Sequence, residues 1–82
     1  MTTIENQITN YLKFNADKAM PLLYKHYYNS LFVFVNQIIR NEETTKDILQ
    51  ETFLTVWQKA HYYDASKAKL YTWLVSIAKI KP

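Results

Sequence analysis

The side chains of this 82-residue chain that could act on another molecule fall in two stretches. Within 47–57, Asp47, Gln50, Glu51 and Leu54 recur at i, i+3, i+4 and i+7, which places them on one stripe of a helix. Asp47 and Glu51 are carboxylates one turn apart. That spacing can ligate a metal in a multi-helix site, but no Glu-x-x-His motif accompanies it. A polar, acidic stripe holding one Leu fits two readings. It is a solvated face, where a single exposed Leu is ordinary, or a surface against which a partner helix docks. Within 57–73, Trp57, Tyr62, Tyr63, Tyr71 and Trp73 are interleaved with Lys59, Lys67 and Lys69. Aromatic faces stack on unpaired bases and lysines neutralise phosphates, so this stretch has the chemistry of a nucleic-acid surface. The alternative places Trp57 and Trp73 in the core, since each fits an apolar stripe, and leaves only the tyrosines exposed.

Catalysis finds little support. His26 and His61 are the two histidines, and no Cys is present to join them. His26 sits between Lys25 and Tyr27 on a helical pattern, where a surface or packing role suffices. A Gly-rich phosphate loop needs glycine, and the chain has none. The residues therefore call for no cofactor and no metal, and the chain reads as a non-enzyme.

The elements that must position these stripes follow from composition and period. The 82 residues make one small domain, with no Gly and only Pro21 and Pro82. Helices need neither residue inside them, whereas tight hairpin turns usually need Gly or Asn, so the composition argues all-α. Ile4, Ile8, Tyr11 and Leu12 predict a short amphipathic helix over 4–14, marginal in isolation. Asn15, Ala16 and Asp17 are cap candidates for a second helix. Pro21 is comfortable only in a first turn, so that helix is expected to begin near Asp17 and to run to Ile39. Asn41 caps the next, with Glu42 and Glu43 in its first turn, where the helix dipole favours acids. This third helix carries Ile48, Leu49, Phe53, Val56 and Trp57 toward the core and extends to about Ala60. Residues 61–69 read as a loop. A last helix from Lys69 or Leu70 carries Leu70, Trp73, Leu74 and Ile77 on its apolar face. The expected architecture is a compact bundle of three main helices with a short extra helix at the N-terminus.

Charge is segregated along the chain. Residues 1–40 carry four Lys/Arg against two Asp/Glu, 41–58 carry one Lys against four acids, and 59–82 carry five Lys against one Asp. An acidic helix followed by a basic end suggests two partners of different charge, or ordinary surface patterning. The longest apolar run, 31–35, is far too short to cross a bilayer, and the first residues lack the features of a secretory signal. The absence of Cys fits a reducing cytoplasm.

Asp47-Ile48-Leu49-Gln50-Glu51-Thr52-Phe53-Leu54-Thr55-Val56-Trp57, followed by Tyr63-Asp64 and by Leu70-Tyr71-Thr72-Trp73-Leu74-Val75-Ser76-Ile77-Ala78-Lys79, resembles region 2 of bacterial sigma factors of the extracytoplasmic-function (ECF) type. The resemblance covers roughly residues 16–80. It implies a module that docks on the β′ clamp helices of RNA polymerase and recognises and melts the promoter −10 element. By position, Asp47, Gln50, Glu51 and Leu54 would face the polymerase. The loop and last helix would engage the non-template strand, whose flipped base the family captures in a pocket formed partly by the loop. Ser66, Lys67, Lys69, Tyr71, Ser76 and Lys79 are the candidate DNA contacts, and Tyr63 would anchor the loop. Primary sigma factors carry a second Trp directly after the position of Trp73. Leu74 stands there in this chain, which points to the ECF group. The family loop also shows Pro and Gly where this chain has Ala65 and Ala68. If the loop needs positive φ at the second of these, Ala68 is strained or the loop changes shape.

The chain ends at Ile80-Lys81-Pro82, before the linker and the second domain (region 4) that reads the −35 element in the family. The resemblance thus implies a region 2 domain alone, with weak, salt-sensitive DNA affinity. An anti-sigma factor is a further candidate partner. Two rivals are a sigma-like protein-interaction bundle that does not bind DNA, and a helix-turn-helix duplex binder. The long 61–69 loop argues against the second, which needs a short turn.

Overall fold

The computed structural model describes residues 3–78, which form an all-α bundle: α1 (Ile4–Phe14), α2 (Ala16–Ile39), α3 (Glu42–Gln58), a single 3-10 turn (Ala60–Tyr62) and α4 (Leu70–Ile77). Helix α1 is held by a Thr3 cap, whose hydroxyl oxygen accepts the Asn6 N–H at 3.1 Å. It does not stand alone as the marginal element its length suggests. Ile8 and Leu12 are buried against α2 and the 3-10 turn, and tertiary packing supplies what propensity does not.

Asn15 alone connects α1 to α2, serving as C-cap of the first and N-cap of the second. The second helix begins at Ala16, one residue before the expected start, and the Asn15 side chain makes no capping bond. Pro21 consequently lies past the first turn. Its missing N–H leaves the Asp17 carbonyl without a helical partner, which an exposed position such as Asp17 tolerates because water can serve instead. Ala19, Leu23, Leu31 and Val35 are its buried residues.

The α2–α3 junction is tight. Arg40 adopts φ 57°, ψ 36°, the one positive-φ residue among those described. Asn41 then caps α3 by accepting the Thr44 N–H at 3.0 Å. The buried Thr45 hydroxyl lies 2.8 Å from the Asn41 carbonyl and 3.0 Å from Asn36 Oδ1, tying the end of α2 to the start of α3. A left-handed residue with a Cβ costs roughly 1 kcal/mol that glycine avoids. Arg40→Gly should therefore raise the melting temperature by about 4–8 °C in a thermal scan. An unchanged or lower value would mean that the Arg40 side chain contributes more than its backbone costs.

The core is one cluster. Leu49, Phe53 and Val56 of α3 meet Leu23, Leu31 and Val35 of α2, with Leu70 and Leu74 of α4 closing the far side. Thr52 is buried within α3 and is satisfied by donating to the Ile48 carbonyl at 2.6 Å. Helix α3 ends at Gln58, short of the expected Ala60, which belongs to the 3-10 turn. Among the described residues, no helix is long and apolar enough to cross a membrane.

Candidate docking groove and DNA-facing loop

Two helical stripes face one another across an open groove of about 620 Å³. Helix α2 contributes Asp17, Met20, Pro21 and Tyr24, and α3 contributes Gln50, Phe53, Leu54 and Trp57. Each set runs i, i+3, i+4, i+7, so the groove follows the seam between two ridges of side chains. Phe53 is buried at its floor, with the Tyr24 ring 5.0 Å away and Tyr28 stacked on Tyr24 at 4.6 Å. Its walls are apolar yet open to solvent: Leu54 is 53% exposed, Tyr24 53% and Trp57 48%. The Trp57 indole N–H donates to Asp17 Oδ1 at 2.9 Å, bridging the two helices at one end.

This corrects the expected core position of Trp57. The indole completes a groove wall, because Phe53 and Val56 already fill the space beneath α3 and its polar N–H finds a carboxylate at the rim. All four residues of the acidic stripe, Asp47, Gln50, Glu51 and Leu54, are exposed. The structure divides them. Gln50 and Leu54 line the groove, whereas Glu51 turns toward a separate depression shared with Ile77 of α4. The single ion pair among the described residues, Lys46 to Glu43 at 4.0 Å between exposed groups, leaves Asp47 and Glu51 free for a cationic partner. Asp17, Met20, Pro21, Tyr24 and Trp57 were not assigned to this surface from sequence. The signal that could have found them is the 17, 20, 21, 24 stripe, which repeats the spacing of 50, 53, 54, 57.

The 61–69 loop is built around Tyr63 and Asp64. The Tyr63 hydroxyl donates to the Ala68 carbonyl at 2.9 Å, and its ring packs against Trp73 at 5.0 Å, the anchoring contact expected of it. Burial, then the nearby Glu5 charge, raises the Tyr63 phenol above its ordinary value, so it stays a neutral donor at physiological pH. Asp64 Oδ1 accepts from the Ser66 hydroxyl at 2.6 Å and from the Ser66 N–H at 2.9 Å. Those two bonds hold its carboxyl below the usual range, with smaller help from Lys67 and Lys13. The Asp64 carbonyl also accepts the Lys67 and Ala68 N–H groups. Ala68 therefore takes part in the loop without positive φ, and the substitution of Ala for Gly is met by a loop that does not need the left-handed region.

Of the candidate DNA contacts, Ser66, Lys67 and Lys69 share this exposed loop and Tyr71 opens to solvent from the first turn of α4. Ser76 is exposed but its hydroxyl donates to the Trp73 carbonyl at 2.6 Å. Lys79 lies outside the described residues. The aromatic stretch is divided as well: Trp57 belongs to the α2–α3 groove, Tyr63 and Trp73 pack on each other, and Tyr62 stands 70% exposed.

The Sigma-70 region 2 family matches residues 23–80. The ECF RNA polymerase sigma factor SigX of Bacillus subtilis is 30% identical over 63 residues, covering 77% of this chain and 32% of the relative. SigM of the same organism, also an ECF RNA polymerase sigma factor, is 33% identical over 57 residues, covering 70% and 34%. The ECF RNA polymerase sigma factor RpoE of Cereibacter sphaeroides is 30% identical over 63 residues, covering 77% and 35%. The chain spans about a third of the length of each of these relatives. No solved structure matches it. The family match extends over most of the chain, and the relatives share one type: this chain belongs to the sigma-70 factors, as a region 2 domain of the extracytoplasmic-function type.

Proposed function

We propose that this chain is the region 2 module of a sigma factor in transcription initiation, acting in the cytoplasm by docking on the β′ clamp helices of RNA polymerase and recognising and melting the promoter −10 element. The observation that carries the docking half is the groove. Three large apolar side chains, Leu54, Tyr24 and Trp57, are each about half exposed around one apolar cleft, with unpaired acids beside it on α3. An open apolar cleft between two helices has the shape that takes the apolar face of a partner helix. A clamp helix with apolar and basic residues on one side satisfies both the cleft and the acids.

The DNA half is supported by the exposed Lys67 and Lys69 on a loop whose backbone is fixed by Tyr63 and Asp64, with Tyr71 beside them. Melting requires a flipped base to be rebound, since unstacking costs a few kcal/mol and an aromatic platform returns about 1–3 kcal/mol per base. The family's loop pocket supplies that platform in this reading. An anti-sigma factor would compete for the docking face.

Calorimetry of the chain against a β′ clamp-helix fragment tests the first half. Asp47→Ala and Leu54→Ala should each weaken binding by roughly 1–2 kcal/mol without altering the circular dichroism. Lys67→Ala with Lys69→Ala should leave that affinity unchanged and weaken binding to a −10 single strand, with a shallower salt dependence. A folded chain that ignores the fragment would sink the docking assignment. Fragment binding with no affinity for the strand at low salt would favour a protein-interaction bundle.

A further inference from the structure

Helix α1 lies outside the family match at 23–80, so the reading of the 61–69 loop gives it no task. The structure sets it against the base of that loop. Ala60 of the 3-10 turn is buried in the same cluster as Ile8 and Leu12 of α1. Along the flank, Thr9, Asn10 and Lys13 share an open cleft of about 600 Å³ with Tyr62, Tyr63 and Lys67. The pieces join at Tyr63. Its hydroxyl donates to the Ala68 carbonyl and its ring meets Trp73 of α4. Thr9 of α1 reaches the same phenol, with Glu5 of α1 and Tyr27 of α2 nearby. After burial, the Glu5 charge raises Tyr27 as well as Tyr63, so one carboxylate of α1 is felt at two phenols on different elements. Among the described residues, the other hydrogen bonds of 64–68 run from Ser66, Lys67 and Ala68 back to Asp64. Those bonds give the loop its turn but tie it to no helix. Its place on the bundle depends on Tyr63 and on what holds Tyr63.

We propose that α1 is the positioning element of the DNA-engaging loop, with Thr9 as the positioning residue that holds Tyr63 and, through it, the backbone presenting Ser66, Lys67 and Lys69. This rests on the reading that the loop engages a DNA strand, and it adds a helix that acts without touching the strand. Two components of binding separate accordingly. Attraction of phosphates by lysines needs only their charge and tolerates a moving loop. Discrimination among base sequences needs contacts held in place, and a loop ordered beforehand loses no freedom on binding. Helix α1 therefore serves selectivity, and the lysines serve the affinity shared by all strands.

Thr9→Gln and the larger Thr9→Trp crowd the half-buried contact with Tyr63 while keeping the net charge. Amide hydrogen exchange followed by NMR reads the loop without DNA. Exchange at Lys67 and Ala68, whose N–H groups bond the Asp64 carbonyl, should quicken about tenfold in Thr9→Gln and more in Thr9→Trp, with Leu49 and Phe53 of α3 unchanged. Fluorescence anisotropy should show the preference of Thr9→Gln for a −10 single strand over a scrambled strand of equal length falling about fivefold, with the salt slope unchanged. Thr9→Val, which keeps the shape, should match the parent in both measurements. A parent that prefers the −10 strand, with parent-like exchange and preference in Thr9→Gln and Thr9→Trp, would overturn the role of α1 and leave the loop reading standing. Quickened exchange at Leu49 and Phe53 together with equal losses on both strands would also overturn it, because that pattern is general loosening of the core. If the folded parent binds neither strand, the DNA reading falls and the role of α1 in recognition falls with it.

Discussion

Trp57→Ala should remove most of the affinity for a β′ clamp-helix fragment while the domain stays folded. The indole is half exposed on the wall of the α2–α3 groove, beside Leu54 and above the buried Phe53. A large aromatic on the wall of an open apolar cleft is a common kind of interface hot spot, and its truncation typically costs 2 kcal/mol or more, about thirtyfold in affinity. The cost to folding is smaller. The mutation removes one hydrogen bond at an exposed rim, to Asp17 Oδ1, and packing on only part of the ring, so stability should fall by about 1–2 kcal/mol. Trp57→Phe separates the two contributions: it keeps apolar area but loses the bond. If Phe restores binding, the indole acts through its surface. If Phe binds no better than Ala, the bridge to Asp17 sets the position of the groove wall. Parent-like affinity in Trp57→Ala would move the docking face away from this groove.

Leu49→Ala should have the largest effect on folding. Leu49 is fully buried near the middle of α3, within the cluster that α2 and α4 close. Leu→Ala in such a site costs about 2–5 kcal/mol, from the lost transfer energy and the cavity left behind. A domain of this size has a total stability of roughly 4–12 kcal/mol, so the loss takes a large share of it. At about 3 kcal/mol the melting temperature should drop by some 12–24 °C in a thermal scan followed by circular dichroism. A drop of only a few degrees would mean that α2 and α4 collapse into the space. The variant also sets a reference for the docking mutants. A loss of fragment binding in Trp57→Ala or Leu54→Ala without a comparable fall in stability is an interface effect.

Much of the fold was legible in the sequence because helices are local. The 3.6-residue period places Leu49, Phe53 and Val56 on one face and Asp47, Gln50, Glu51 and Leu54 on another whatever the neighbours do, and the structure keeps both faces. Asn41 as a cap, the start of α4 at Leu70 and the anchoring role of Tyr63 likewise depend on residues a few positions apart. The absence of glycine argued against tight hairpins, whose turns favour it at positive φ.

The site was decided by what lies between elements. Period alone cannot say how α2 is rotated against α3, and that rotation brings the 17, 20, 21, 24 stripe opposite 50, 53, 54, 57. Trp57 fits an apolar stripe equally well in the core or on a groove wall. Its place was settled by Phe53 and Val56 filling the space below and by Asp17, forty residues earlier, meeting the indole N–H. The same holds for α1. Its amphipathic face announced a helix, but only packing against α2 and the 60–62 turn carried Asn10 and Lys13 across from Tyr62 and Lys67. Stripes are set by backbone geometry within a helix, whereas clefts are set by the packing of whole helices, which depends on every side chain in the core at once.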